Sequence, residues 1–351
     1  VRSARVDRDR GGCGNAWDGQ KRGFGLAVLV VLALLVLALL PGNAPRALAD
    51  APASVAASKP NGFDLGGASV PRSEILQGGP RRDGIATLDH PPVLAADEAP
   101  WRGRTRVIGV VRGGEARAYP IAVLEWHEIA NDTLGGEPIL VTYCPLCGTG
   151  MVFDRRVDGV ARSFGVSGLL YQSDLLMFDR EGDSLWSQIG ARAITGPANG
   201  SRLRLLRSEV QRWDVWRADH PDTTVLSPET GHERPYGRSL YKGYRRSKKL
   251  RFPAPLDARY HPKLPTIGLR VADGRARAYP LVEVQAAGGR VREPFAGVEV
   301  EVLYDAARAE FTARAPEPVE IIEGFWFAWM AFHPESTIFE APSTESDAAE
   351  E

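Results

Sequence analysis

The chain has 351 residues, 44% hydrophobic and 25% charged, with 43 Lys and Arg against 44 Asp and Glu. That balance describes a globular protein rather than a disordered or fibrous one, and without a basic excess no nucleic-acid partner is expected. Three cysteines exclude a disulfide-stapled scaffold.

In chain order, the first feature is the uncharged apolar run 24–40, directly after Lys21 and Arg22 and followed by Ala47-Leu48-Ala49. A basic flank, an apolar stretch and an A-x-A site together describe a secretory signal peptide over residues 1–49. The run is close to the lower limit for a membrane span, so an uncleaved N-terminal anchor is the alternative and the one membrane contact expected. Either way the protein is expected to be exported, periplasmic or extracellular. Without its seven basic and three acidic residues the remainder carries 36 basic against 41 acidic side chains, and Cys144 and Cys147 are its only cysteines.

Residues 50–100, rich in Ala, Pro, Gly and Asp, read as an extended lead-in. Short apolar segments bounded by Gly, Asp and Pro then predict strands at 106–111, 138–143, 151–154, 173–178 and 298–303. Helices are predicted over 121–131, around 209–218 and over 323–332. The class is therefore α+β and β-rich. Neither a G-x-G-x-x-G nor a Walker loop occurs, so no nucleotide cofactor is expected.

The main organisational signal is an internal repeat. RVIGVVRGGEARAYP at 106–120 is echoed by TIGLRVADGRARAYP at 266–280, and GEPILVTY at 136–143 by GVEVEVLY at 297–304. Trp213, Trp216, His220 and Pro221 have the spacing of Trp326, Trp329, His333 and Pro334. The expected organisation is a duplicated sheet module, with a first copy at 101–262, a shortened second copy at 263–342 and an acidic tail at 343–351. The part missing from the second copy corresponds to about 155–204. Features common to both copies are read as scaffold. Features confined to the first are the functional candidates.

Foremost among these is Cys144-Pro-Leu-Cys-Gly148 at the end of a predicted strand; the second copy has Asp305 and Arg308 there. Two thiolates across a tight turn can share a metal, and Cys-Pro-x-Cys-Gly is the form of a zinc knuckle. The pair supplies only half of a structural zinc set, so other ligand types are needed. They would come from His or carboxylates, and His127 is the best third ligand for zinc or copper. Met151 and Met177 suit copper. A thiol–disulfide oxidoreductase or redox sensor is the alternative, although the Gly148-Thr-Gly150 turn leads into a strand and not into the helix that lowers a thiol pKa. A structural cysteine pair in a non-catalytic binding module is the third reading. Whether the protein is an enzyme stays open at this point.

Within the part unique to the first copy, Ser167, Tyr171 and Asp174 are candidate pocket residues, together with Met151 and Met177. Gly165-Val-Ser-Gly168 departs from the serine nucleophile elbow by one position. The basic run 245–251, with Tyr236, Tyr241 and Tyr244 ahead of it, reads as a solvated linker between the copies.

The blocks WHEIAND at 126–132, VTYCPLCG at 141–148, 164–179 and SLWSQ at 184–188 resemble, in order, the exported bacterial and archaeal domain of unknown function family 3179. The resemblance covers about residues 100–340. It implies an exported protein, marks His127, Cys144 and Cys147 as a polar signature, and carries no activity with it.

Overall fold

A computed structural model describes residues 59–342. The segment 1–49 with its apolar run, and the tail 343–351, lie outside the described residues. Among the described residues no helix is long and apolar enough to cross a membrane. The chain is β-rich with few and short helices, and its five principal sheets are arranged like a five-bladed propeller.

Two of these sheets share one plan. In the first, Ser208–Arg212, Arg106–Arg112 and Glu115–Pro120 run antiparallel, and Thr224–Leu226 joins Glu115–Pro120 in parallel. In the other, Glu320–Phe325, Pro265–Arg270 and Ala276–Pro280 run antiparallel, with Thr337–Ile338 parallel to the last. Each Tyr-Pro pair ends a strand and starts a helix, since proline fixes φ and needs no amide partner at the first turn. These helices are α1 (Ile121–His127) and, later, α3 (Leu281–Ala286).

The helices α2 (Trp213–Asp219) and α4 (Trp326–Phe332) also occupy matching places. Trp216 lies flat on Gly109, and Trp329 on Gly268, at distances where a Cβ on either glycine would meet the indole at 2.3 or 2.0 Å. The His220 ring packs tilted against Trp216, centroids 4.0 Å apart, and His333 against Trp329 at 4.2 Å. The indole nitrogens donate to Thr223 and Ser336, each at 2.9 Å. Gly109 faces Ala118 and Gly268 faces Ala278, so the two strands correspond with one extra residue in the later hairpin, which the ungapped sequence echo conceals. A third correspondence is electrostatic. Arg117 and Tyr119 converge on Asp132, at 2.8 and 2.7 Å, and Arg277 and Tyr279 on Glu293, at 2.9 and 2.7 Å. Asp132 is thereby committed to the scaffold.

The predicted helix 121–131 is too long by a turn. Glu128 takes φ +58°, its amide closes on Leu124, and Ile129–Leu134 pairs with Glu137–Cys144. The other two helices likewise begin late, because residues 208–212 and 320–325 alternate between two environments and are recruited as strands beside Arg106–Arg112 and Pro265–Arg270. Helix α3, Leu-Val-Glu-Val-Gln-Ala, was not anticipated; it buries only Val284 and leaves Val282 exposed.

The stretch 59–100 is extended and also packed. Ile75–Gln77 pairs with Phe164–Tyr171, and Phe63, Leu65 and Val70 form an apolar cluster with Leu169, Leu176 and Phe178. The largest cluster contains both cysteines and draws on the whole chain, from Ile129 to Met330.

The tryptophan–glycine contacts leave no room for a methyl group. Gly109→Ala or Gly268→Ala should each cost roughly 2–3 kcal/mol through overpacking, measured by chemical denaturation; a loss within error of zero would show that the indole moves aside freely.

Candidate metal centre

Two tight turns meet to form the site. Strand Glu137–Cys144 reverses through Pro145–Gly148 into Thr149–Asp154, with Cys144 opposite Thr149 and the Gly148 amide closing on the Cys144 carbonyl at 2.8 Å. Gly148 has φ +67°, and a Cβ there would meet the Phe325 ring at 2.8 Å, so this position needs glycine for two separate reasons. The second turn joins Phe164–Tyr171 to Asp174–Asp179 through Gln172 and Ser173, both at positive φ, the geometry of a tight two-residue hairpin. It presents Asp174 at the start of its strand, beside the cysteine turn. The Cys147 thiol donates to the Ser173 carbonyl at 3.4 Å.

One ligand atom from each of Cys144, Cys147 and Asp174 lies within 4.8 Å of the other two, and all three residues are buried. The cysteines are free thiols. Asp174 accepts the Ile189 amide through Oδ2 at 3.0 Å, while its Oδ1 is buried without a partner, as are Ser173 Oγ and Tyr244 OH. Unsatisfied buried oxygens are uncommon and point to a missing ligand or ion.

The electrostatics agree. Burial pushes the Cys144 thiol up, against hydrogen bonds from the Cys147 thiol and amide, and pushes Cys147 well above its ordinary value. Burial raises Asp174 to about 7, against the Ile189 amide. Burial, then the charge of Asp174, raises Glu128 to about 8. Four acidic groups thus share one low-dielectric region, and without a cation each favours its protonated form.

The segment read as a solvated linker forms one wall. Tyr244 is buried in the same cluster as the cysteines, and Tyr241, Leu250 and Phe252 pack against it. The Arg251 guanidinium lies 4.5 and 5.5 Å from the rings of Tyr241 and Tyr244, and Lys263 Nζ lies 4.2 Å from that of Tyr244. The basic residues of 245–251 stay near solvent while the neighbouring aromatics turn inward; Lys263 is buried and donates to the Ser247 and Lys249 carbonyls. A cavity of about 180 Å³ adjoins the site between Glu128, Leu146, Leu175, Tyr241, Arg251 and Phe252.

The sequence-derived candidates divide. Asp174 joins the cysteines. Met151 and Met177 are buried in their apolar cluster. Ser167 donates to the Leu176 carbonyl and accepts the Leu169 amide at 3.0 Å, which secures a strand irregularity and leaves no free nucleophile. Tyr171 packs edge-on against Phe332, centroids 5.7 Å apart. His127 stands outside the cluster: Nδ1 meets the Ala86 carbonyl at 2.6 Å and Nε2 the Tyr236 hydroxyl at 2.7 Å, so both ring nitrogens are engaged. Sequence reasoning did not place Glu128 beside the cysteines, and it missed Gln188, which bridges Thr142 and Thr149 at 2.8 and 2.9 Å behind the cysteine turn. The SLWSQ block was the available signal for Gln188. Where the later half has Asp305 and Arg308, the Asp305 carboxylate accepts the amides of Ala307 and Arg308 and merely closes the turn.

The chain belongs to the family described as "Protein of unknown function (DUF3179)", whose model matches residues 82–316, most of the chain. Comparison with curated proteins and with solved structures gave no match.

The raised Glu128 pKa has a sign that can be measured. The folded value, about 8, exceeds the unfolded one, so the stability contributed by the bound proton is complete below about pH 4.3 and is lost as pH rises through 8. Metal-free protein should therefore melt at lower temperature at pH 8 than at pH 5, and Glu128→Gln should recover part of that loss. Thermal melts of the two proteins test this; parallel pH profiles would refute it.

Proposed function

We propose that this is an exported metal-binding protein that holds one transition-metal ion between the thiolates of Cys144 and Cys147 and the carboxylate of Asp174. The observation that carries the reading is the trio itself: three buried acidic ligands within 4.8 Å, one with an oxygen that has no partner. Binding a divalent cation would release the protons that burial forces onto these groups, and would supply the counter-charge that the interior lacks. Two sulfurs and one oxygen favour zinc, a borderline-soft ion. Copper ranks second, since the buried Met151 and Met177 are packed into the same cluster but are not in the ligand trio.

Three protein ligands are one short of a closed structural zinc set, which is the arrangement of sites that keep a position open. The cavity beside Glu128 and Arg251 offers space for what would fill it. Export rests on the segment 1–49. The organisation we favour is a duplicated module, 101–262 and 263–342, with the later copy as scaffold. Its support is the shared strand plan, the paired tryptophan–glycine contacts and the paired Arg-Tyr-carboxylate clusters. In this reading His127 is a structural anchor for the segment bearing Tyr236.

Elemental analysis of the purified chain tests the assignment. Stoichiometric zinc or copper is expected, retained by His127→Gln and lost by Cys144→Ser and by Asp174→Ala. Metal-free protein with a reversible Cys144–Cys147 disulfide would overturn it in favour of thiol–disulfide exchange, for which Asp174 would be the adjacent proton acceptor.

A further inference from the structure

A second cavity, of about 270 Å³, lies where the part unique to the first half meets the later half. Its lining includes Arg192, Arg202, Arg270, His333, Ser187 and Tyr171, and no acidic residue. Arg270 is only 6% exposed. Its Nε meets Glu320 at 2.6 Å and its Nη1 the Ile189 carbonyl at 2.6 Å, but Nη2 is buried with no partner. His333 Nε2 is also buried without a partner. Two polar atoms lacking partners therefore belong to the wall of one cavity, where each forfeits a hydrogen bond unless a ligand supplies it.

Arg192 and Arg202 add a second, independent oddity. Their backbones form an antiparallel bridge, so both side chains leave the same face as direct cross-strand neighbours. Like charges in that arrangement are destabilising. Among the described residues neither guanidinium has a carboxylate partner, whereas the buried Arg270 beside them does. In the corresponding strand of the earlier half, the position of Arg270 is held by Val111, which likewise precedes the hairpin turn, so the feature is not part of the common scaffold.

We infer that this cavity binds a dianionic oxyanion, specifically a phosphate group. Glu320 offsets Arg270, which leaves the charges of Arg192 and Arg202 uncompensated and calls for two negative charges. Planar guanidinium forks match the oxygens of phosphate bidentately. The Ser187 hydroxyl, which accepts the Gly190 amide at 3.1 Å, keeps its proton free to donate. Burial and the Arg270 charge hold His333 down at about 4, so the imidazole is neutral and adds no third positive charge at physiological pH. The pocket is distinct from the cysteine site but one residue away from it: Ile189 gives its amide to Asp174 and its carbonyl to Arg270.

The test is titration of the purified full chain with inorganic phosphate at constant ionic strength, balanced with chloride, followed by calorimetry and thermal melting. Saturable binding with a rise in melting temperature is expected. Arg192→Gln/Arg202→Gln, which alters only exposed side chains, should bind at least about tenfold more weakly, with the ligand-free melting temperature unchanged or raised. Arg270→Lys keeps the charge but loses the fork and should also weaken binding. Asp174→Ala should bind phosphate as the wild type does, which separates this inference from the metal reading. A small phosphomonoester that binds more tightly than the free ion would assign the phosphate group to an organic ligand; equal affinity would assign it to the free ion. No saturable binding above the chloride control, undiminished binding by the double variant, or acetate binding as tightly as phosphate would each overturn the inference.

Discussion

The exclusion of water from two thiols and a carboxyl group is the constraint around which this molecule is built. Acidic side chains normally reach solvent, and placing three of them together in an apolar cluster penalises every charged state. The surrounding architecture maintains that exclusion: two hairpin turns butt against each other, the Phe325 ring covers Gly148, and Tyr244 closes a further side. Gln188 ties Thr142 to Thr149 across the base of the cysteine hairpin, so the strands that carry the thiols are held by side-chain hydrogen bonds as well as by their ladder.

The two halves contribute unequally to this arrangement. Each has the same strand plan, the same indole laid on a glycine and the same Arg-Tyr pair on a carboxylate. The earlier half alone carries the inserted hairpin that brings Asp174 to the cysteines. The later half supplies a lid. Its Phe325 amide donates to the Cys147 carbonyl at 2.8 Å, and Arg106 of the earlier half reaches across to Glu310 at 2.8 Å. The later half, which has no cysteine turn of its own, thus still covers the turn of the earlier half.

The cysteine turn and the β-rich class were legible in the sequence because they depend on local signals: a C-P-x-C-G string and strand-length apolar runs; Asp174 was read as a pocket residue and not as a ligand. What escaped depends on distant contacts. Residues 209–212 and 323–325 carry helix-compatible side chains, yet the open edges of Arg106–Arg112 and Pro265–Arg270 recruit them as strands, an instance of tertiary pairing overriding local propensity. The helix predicted over 121–131 is a turn too long; ending it at Glu128, which has positive φ, buries that carboxyl. The tyrosines at 241 and 244 were hidden by the basic residues around them, since charge density along a segment says nothing about which side chains turn toward the core. His127 attracted attention as a ligand by its residue type, whereas its two hydrogen bonds engage both ring nitrogens elsewhere.

The bond from the Phe325 amide to the Cys147 carbonyl bears on how the protein comes to be folded. It joins the cysteine turn to the strand Glu320–Phe325, so the contact has a very large sequence separation and can form only after most of the chain has been made. A chain made from its N-terminus has both thiols and the Asp174 hairpin in place well before residues 320–330 exist. Until those residues dock, the cysteine turn lacks its cover and its sulfurs are open to solvent, oxidants and ions. Docking of the later half is thus the step that encloses the dithiol.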